Sequence, residues 1–144
     1  QTDASLQGLG AILLQEGDNG ETYVIGFASR TLTRSEEKYT ITEYECLSII
    51  FGLKKYSTYL MGRKFVIRTD HKALLWLKKV SVWNSRLLRW SLAIQDFSFD
   101  VEFCPGKENL AADALSRLFE KSELQQVRIN SLKLLQDEIV KISA

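Results

Sequence analysis

Most of the 18 Asp and Glu residues of this chain lie in charged or polar runs, as a solvated surface requires. Four are housed differently. Asp3 stands before the small residues Ala4 and Ser5, and Glu45 lies between Tyr44 and Cys46-Leu47. Asp70 terminates the apolar run "KFVIRTD", and Asp113 sits among Ala111, Ala112, Ala114 and Leu115. Two belong to strand-like and two to helix-like segments, and the ends of sheet strands are where α/β folds commonly place ligands. Were they to converge, each pair of carboxylates ~4 Å apart would repel by roughly 4 kcal/mol at an effective dielectric of ~20. Such a site needs raised pKa values or bound cations. One His and two Cys without a CxxC spacing exclude Cys/His zinc chemistry. The fitting cations are then hard and oxygen-seeking, Mg²⁺ or Mn²⁺. Two such ions about 3.5–4 Å apart among carboxylates form an arrangement that hydrolyses phosphodiesters.

The elements that must carry these acids are legible as periodicity. "LGAILLQ" (9–15) and "TYVIGFASRTL" (22–32) read as strands around an Asn-Gly hairpin turn, and "TDAS" as the end of a first strand cut short before Asp3. From 34 to 61 a proline-free stretch with Tyr39, Cys46, Ile49, Ile50, Leu53 and Leu60 at helical spacing predicts one long helix, ended by Gly62. "KFVIRTD" is a strand, "HKALLWLKK" a short helix and "SRLLRWSLAIQDF" (85–97) a longer one. "FSFDVEF" alternates with Phe97, Phe99, Val101 and Phe103 on one face, and "CPGKEN" turns into the helical "NLAADALSRLF". The order β-β-β-α-β-α-α-β-α predicts an α/β domain, one mixed sheet flanked by helices. Residues 119–144 lack aromatics after Phe119 and read as a helical appendage or linker.

At 144 residues the chain suits one domain with a sizeable core, and 45% hydrophobic with 26% charged residues is ordinary for a globular protein. No apolar run reaches the roughly 18 residues of a membrane span. The polar "QTD" start and missing initiator Met suggest a piece of a longer polypeptide. A net charge of +1 announces no nucleic-acid binder, so a polyanionic ligand would require the basic side chains to gather on one face. Cys46 and Cys104 read as reduced thiols packed as small hydrophobes.

The motifs "TDAS…LGAILLQ", "FASRTLTRSEEKYTITEYECLSIIFGLKKYSTYLMGRKFVIRTDHKALLWL", "RLLRWSLAIQDFSFDVEF" and "PGKENLAADALSR" together resemble the ribonuclease H domain of reverse transcriptases, that of gypsy-type LTR retrotransposons in particular. The resemblance runs from about Thr2 to Leu118, so residues 1–118 are expected to form that domain. It implies a ribonuclease H-like fold with a five-stranded mixed sheet, and an endonuclease that cleaves the RNA strand of RNA–DNA hybrids during reverse transcription. It also implies an Asp-Glu-Asp-Asp set holding two Mg²⁺ ions, for which Mn²⁺ substitutes. Motif by motif the acids are Asp3, Asp70 and Asp113, with Glu45 chosen over Glu43 because the family's Glu directly precedes the apolar helix stretch, here "ECLSII". Positions 43 and 45 lie about 200° apart on a helix, which sends Glu43 to the surface near the nucleic acid. Asp3 is expected to bridge both ions, with Glu45 and Asp70 on the leaving-group side and Asp113 on the water side.

Implied partners are the hybrid, the polymerase domain of a parent reverse transcriptase and an integrase downstream; the implied setting is a cytoplasmic retroelement particle or the nucleus. The mobile His that many ribonucleases H carry before the last helix is missing from "CPGKENLAAD", and "KKVSVWNSR" leaves no room for an extra basic helix. Candidate nucleic-acid contacts are therefore Ser5, His71, Lys72, Lys78, Lys79, Arg86, Arg89 and Lys107, while Trp76, Trp83 and Trp90 are expected to pack. Two alternatives stay open: a catalytically silent tether or binding module, and a nuclease acting on double-stranded RNA or DNA.

Overall fold

The computed structural model describes residues 1–72 and 85–117. Strands β1 (Thr2–Ala4), β2 (Gly8–Glu16) and β3 (Thr22–Thr31) form an antiparallel sheet in that order, with Asp3 opposite Gly10. The hairpin turns at Asn19-Gly20, Gly20 taking φ +79°. Strand β2 alternates as a two-sided strand must. Leu9 packs with Tyr44 and Leu47, and Ala11 with Tyr56, on the side of the long helix. Ile12 faces the last helix, packing with Ala111, Ala112 and Leu115.

The helix expected over 34–61 is divided. A 3₁₀ turn (Glu36–Lys38) is followed by extended backbone at Tyr39 and Thr40, then α1 (Ile41–Lys55) and α2 (Ser57–Leu60). The physical reason is local polar chemistry. Thr40 and Glu43 form a capping box, the Thr40 N–H donating to Glu43 Oε2 at 2.9 Å and the Glu43 N–H to Thr40 Oγ1 at 3.3 Å. Glu36 is drawn instead to Arg30, which donates to both its carboxylate oxygens at 2.8 and 2.9 Å.

Gly62 (φ +74°) leads into β4 (Lys64–Thr69), which pairs in parallel with β5 (Ser98–Phe103), Ile67 opposite Val101. The expected single five-stranded sheet is thus seen as three strands and two strands. Strand β1 lies against β4, but at three residues it offers little backbone for a ladder, and none joins them among the described residues. Between the strands comes α3 (Ser85–Ala93), shorter than the predicted 85–97 because residues 94–97 close as turns. Phe103, expected on the apolar face of β5, is 54% exposed.

After a 3₁₀ turn (Gly106–Glu108), α4 (Leu110–Ser116) closes the described chain. Helix α1 supplies Cys46, Ile49, Ile50 and Leu53 to a core shared with Ile67 and Ile94. Helix α4 reaches the β1–β3 sheet because Gly10 has no side chain: a Cβ there would lie 2.8 Å from that of Leu115. Both cysteines are buried thiols, as expected. The short helix expected from His71, with Lys78, Lys79, Trp76 and Trp83, lies outside the described residues beyond Lys72, and so does the appendage 119–144. Among the described residues no helix is long and apolar enough to cross a membrane.

Candidate metal centre

Three of the four acids meet where β1 and β4 face one another. Asp3 is presented by β1, Asp70 immediately follows β4, and Glu45 projects from the first turns of α1. One carboxylate oxygen from each lies within 4.8 Å of those of the other two. Asp3 and Glu45 are only 4% and 7% exposed, so water cannot discharge their mutual repulsion. Burial, reinforced by the charges of Asp3, Asp70 and Asp113, pushes the Glu45 carboxyl up to about 8. Burial likewise pushes Asp3 up to about 6, against a hydrogen bond from Ser116 and with the charges of Asp113 and Asp70 adding to it.

Among the described residues, Glu45 Oε2 is buried without a hydrogen-bond partner. A carboxylate oxygen in that position, beside two further carboxylates, suits a hard divalent cation. The residues present therefore fit the Mg²⁺ or Mn²⁺ that the acid pattern called for.

Asp113 stands to one side. It is carried by α4, near enough to raise the pKa values of Asp3 and Glu45, but its Oδ1 accepts a hydrogen bond from Arg117 Nε at 2.8 Å. The three-acid cluster does not include it. Asn109, at the start of α4, is fully buried and donates from Nδ2 to the Thr2 carbonyl at 3.1 Å, tying this helix to β1.

The basic candidates divide. Arg86 Nη1 donates to Glu43 Oε1 at 2.6 Å, and its guanidinium lies 3.8 Å from the centroid of the Tyr39 ring. Glu43, expected at the surface, is 8% exposed. Burial works against its charge, but hydrogen bonds from Thr40 and Arg86 outweigh it and hold the carboxyl below its ordinary range. Ser5 is also inside the fold, its Oγ donating to the Ser116 carbonyl at 2.6 Å. Lys72 and Lys107 are exposed, Lys72 with its Nζ 5.9 Å from the Phe103 ring centroid. Lys72 follows Asp70 by two residues, and Lys107 follows Gly106, where a Cβ would lie 3.4 Å from Asp70 Oδ2. His71 is half-buried, its backbone N–H donating to Thr69 Oγ1.

Arg89 is exposed on the far side of α1, where a cavity of about 680 Å³ opens between α1 and α3 beside Phe51, Lys54 and Trp90. Helical spacing sets Phe51 and Lys54 about 240° and 180° around α1 from Glu45. That cavity has no part in the acid centre.

Two participants escaped the sequence reading. The capping box was written in "TITE", hidden by apolar periodicity that runs on through Tyr39. Ser116 had no signal beyond its place in "ALSR", yet its Oγ lies 2.8 Å from Asp3 Oδ2 across 113 positions of sequence.

Comparison with known proteins adds a family. The one described as "RNase H-like domain found in reverse transcriptase" matches residues 1–97. The chain is 41% identical over 117 residues, 81% of its length, to the "Retrovirus-related Pol polyprotein from transposon 297" of Drosophila melanogaster. It is 38% identical over 133 residues, 92% of its length, to that from transposon 412 of the same fly. To the "Transposon Tf2-3 polyprotein" of Schizosaccharomyces pombe it is 37% identical over 127 residues, 85% of its length. It spans 11%, 11% and 10% of the lengths of these three relatives.

Proposed function

The chain belongs to the RNase H-like domain family of reverse transcriptases, and from that membership together with its gathered carboxylates we propose that it hydrolyses the RNA strand of RNA–DNA hybrids within a retroelement polyprotein. The observation that carries the proposal is the cluster of Asp3, Glu45 and Asp70, with Glu45 Oε2 buried and unpartnered. These three residues would hold Mg²⁺, and Asp113 would complete a second position on turning away from Arg117. Bound there, divalent ions would supply Lewis-acid stabilisation of the phosphate and a lowered pKa for the attacking water, the two-metal mode of hydrolysis.

The chain's own groups do the rest. Burial of Asp3 and Glu45 excludes water from one side of the centre, and Glu45 would read a ribose 2′-hydroxyl, the group that separates RNA from DNA. Lys72 and His71, next to Asp70 in sequence, and Lys107, next to Gly106, would contact backbone phosphates, which fix position without reading sequence. Ser5 and Arg86 are engaged within the fold, with the Ser116 carbonyl and with Glu43. Hybrid binding should weaken steeply with salt, as phosphate-dominated recognition does. In the parent protein the partners would be the polymerase domain and a downstream integrase, in a cytoplasmic particle or the nucleus.

A second reading, a catalytically silent tether, draws on one observation: Asp113 is paired with Arg117 outside the cluster. Labelled RNA–DNA, RNA–RNA and DNA–DNA duplexes incubated with the chain and Mg²⁺ decide the matter. Cleavage of the RNA in the hybrid alone is the expected result. A well-folded chain that leaves the hybrid intact would establish the tether, and equal cutting of duplex DNA would refute hybrid specificity.

A further inference from the structure

The hydroxyl of Ser116 has a single proton and two acceptors. Its Oγ lies 2.8 Å from Asp3 Oδ2 and 2.8 Å from the Asp113 carbonyl oxygen one helical turn back. A serine near a helix end commonly bonds that carbonyl and nothing else. Here the residue is fully buried, so no water replaces the bond to Asp3 if it is lost. The serine is itself held: Ser5 Oγ donates to its carbonyl at 2.6 Å, and Ser5 Oγ in turn accepts from the Gly8 N–H at 3.1 Å. Gly8 makes room for this, since a Cβ there would lie 2.5 Å from the Ser116 carbonyl oxygen. The loop after β1, the start of β2 and the end of α4 thus converge on one hydroxyl aimed at one carboxylate.

We propose that Ser116 is a positioning residue that fixes the orientation of Asp3 for the cation. The inference rests on the metal-dependent reading above and deepens it by naming the group that orients the most deeply buried of the three acids. A carboxylate has about four lone-pair sites, so one hydrogen bond sets its plane and leaves the others for an ion. Groups that hold a metal-binding carboxylate in this way usually matter to affinity by about ten- to a hundredfold. Ser116 also belongs to the helix that carries Asp113, and the bond therefore ties the placement of the fourth acid to that of the first.

The test is a Mg²⁺ titration of the complete chain, read as the shift in its unfolding temperature and, separately, as hybrid cleavage. Ser116→Ala is expected to require about tenfold more Mg²⁺ for half of the thermal shift. Its cleavage should recover as Mg²⁺ is raised, a rescue that general damage to the fold would not give. Ser116→Cys, close in volume with a weaker donor, should fall between, and it carries the comparison if the alanine variant does not fold. An unchanged half-saturation in a folded variant overturns the proposal. So does a loss of cleavage that no Mg²⁺ concentration restores. A wild-type chain with no thermal response to Mg²⁺ overturns the functional reading and this inference together, whereas a responsive wild type with an equally responsive Ser116→Ala overturns this inference alone.

Discussion

Arg117 Nε donates to Asp113 Oδ1 at 2.8 Å across one turn at the end of α4, and this pair holds the fourth acid apart from the other three. Both side chains are about half exposed, and an i,i+4 pair of that kind contributes little to stability, about 0.3–0.5 kcal/mol. Asp113→Asn should therefore leave the unfolding temperature nearly unchanged. Hybrid cleavage should fall by at least about 10²-fold, the scale of losing one group that stabilises charge in the transition state. Parallel melting curves and cleavage rates check both halves, and a variant that still cuts at the wild-type rate would remove Asp113 from the site.

The metal-free chain should respond to pH in an unusual direction at this centre. Asp3 and Glu45 titrate near 6 and 8 when folded, against ordinary values of 3.8 and 4.5. The folded state thus holds more protons than the unfolded state from roughly pH 4 to pH 8, and stability falls as pH rises through that window. Below it the contribution is fully present; above it the contribution is lost. Melting curves in a chelator and in Mg²⁺, from pH 5 to pH 9, should diverge progressively as pH rises. Curves that stay parallel would contradict the raised values.

Glu45→Gln removes the charge that is worst placed in the absence of metal. At pH 8 in a chelator it should raise stability by at least about 1 kcal/mol, the equivalent of one unit of pKa shift removed. The added stability conferred by Mg²⁺ should largely vanish in the same variant. Urea denaturation with and without Mg²⁺ measures both, and a less stable metal-free variant would mean that Glu45 is held by favourable contacts.

Arg86→Ala should act on the fold. It strips Glu43 of a partner within 2.6 Å while leaving that carboxylate nearly buried in its capping box. The expected cost is about 1–3 kcal/mol, the usual penalty for leaving a buried polar group short of a bond. Glu43→Ala should cost a similar amount, and the double variant much less than the sum, because the two residues share one interaction. Additive losses in a double-mutant cycle would show that they do not cooperate.

Among the described residues, strand and helix order was legible because each apolar run keeps its own period, two in β2 and β5, nearer 3.6 in α1. The fate of individual polar groups was not. Nothing local separates Glu43 from Glu45, which lie two positions apart in "TEYEC"; their spacing only says that they part company, and the family pattern made the choice. The surface position expected for Glu43 failed because Arg86, 43 residues further on, folds back onto it. Apolar spacing likewise bridged Tyr39 and Thr40, and the capping box broke the helix there. Ser5 offered a small hydroxyl beside an acid, which reads equally well as a ligand contact or an internal strut until Ser116 is placed. Long-range hydrogen bonds of this kind leave no periodic trace.

The unladdered meeting of β1 and β4 gives the acid cluster a mechanical meaning. Asp3 and Asp70 stand on opposite banks of that seam, so an ion held between them would act as a rivet between two sheets that no ladder joins among the described residues. Amide exchange in β1 and β4 should then slow on Mg²⁺ binding far more than exchange within the β2–β3 hairpin, since local opening draws on the least supported contacts. Catalytic readiness and the closing of a joint would then be one event, set by the same ion.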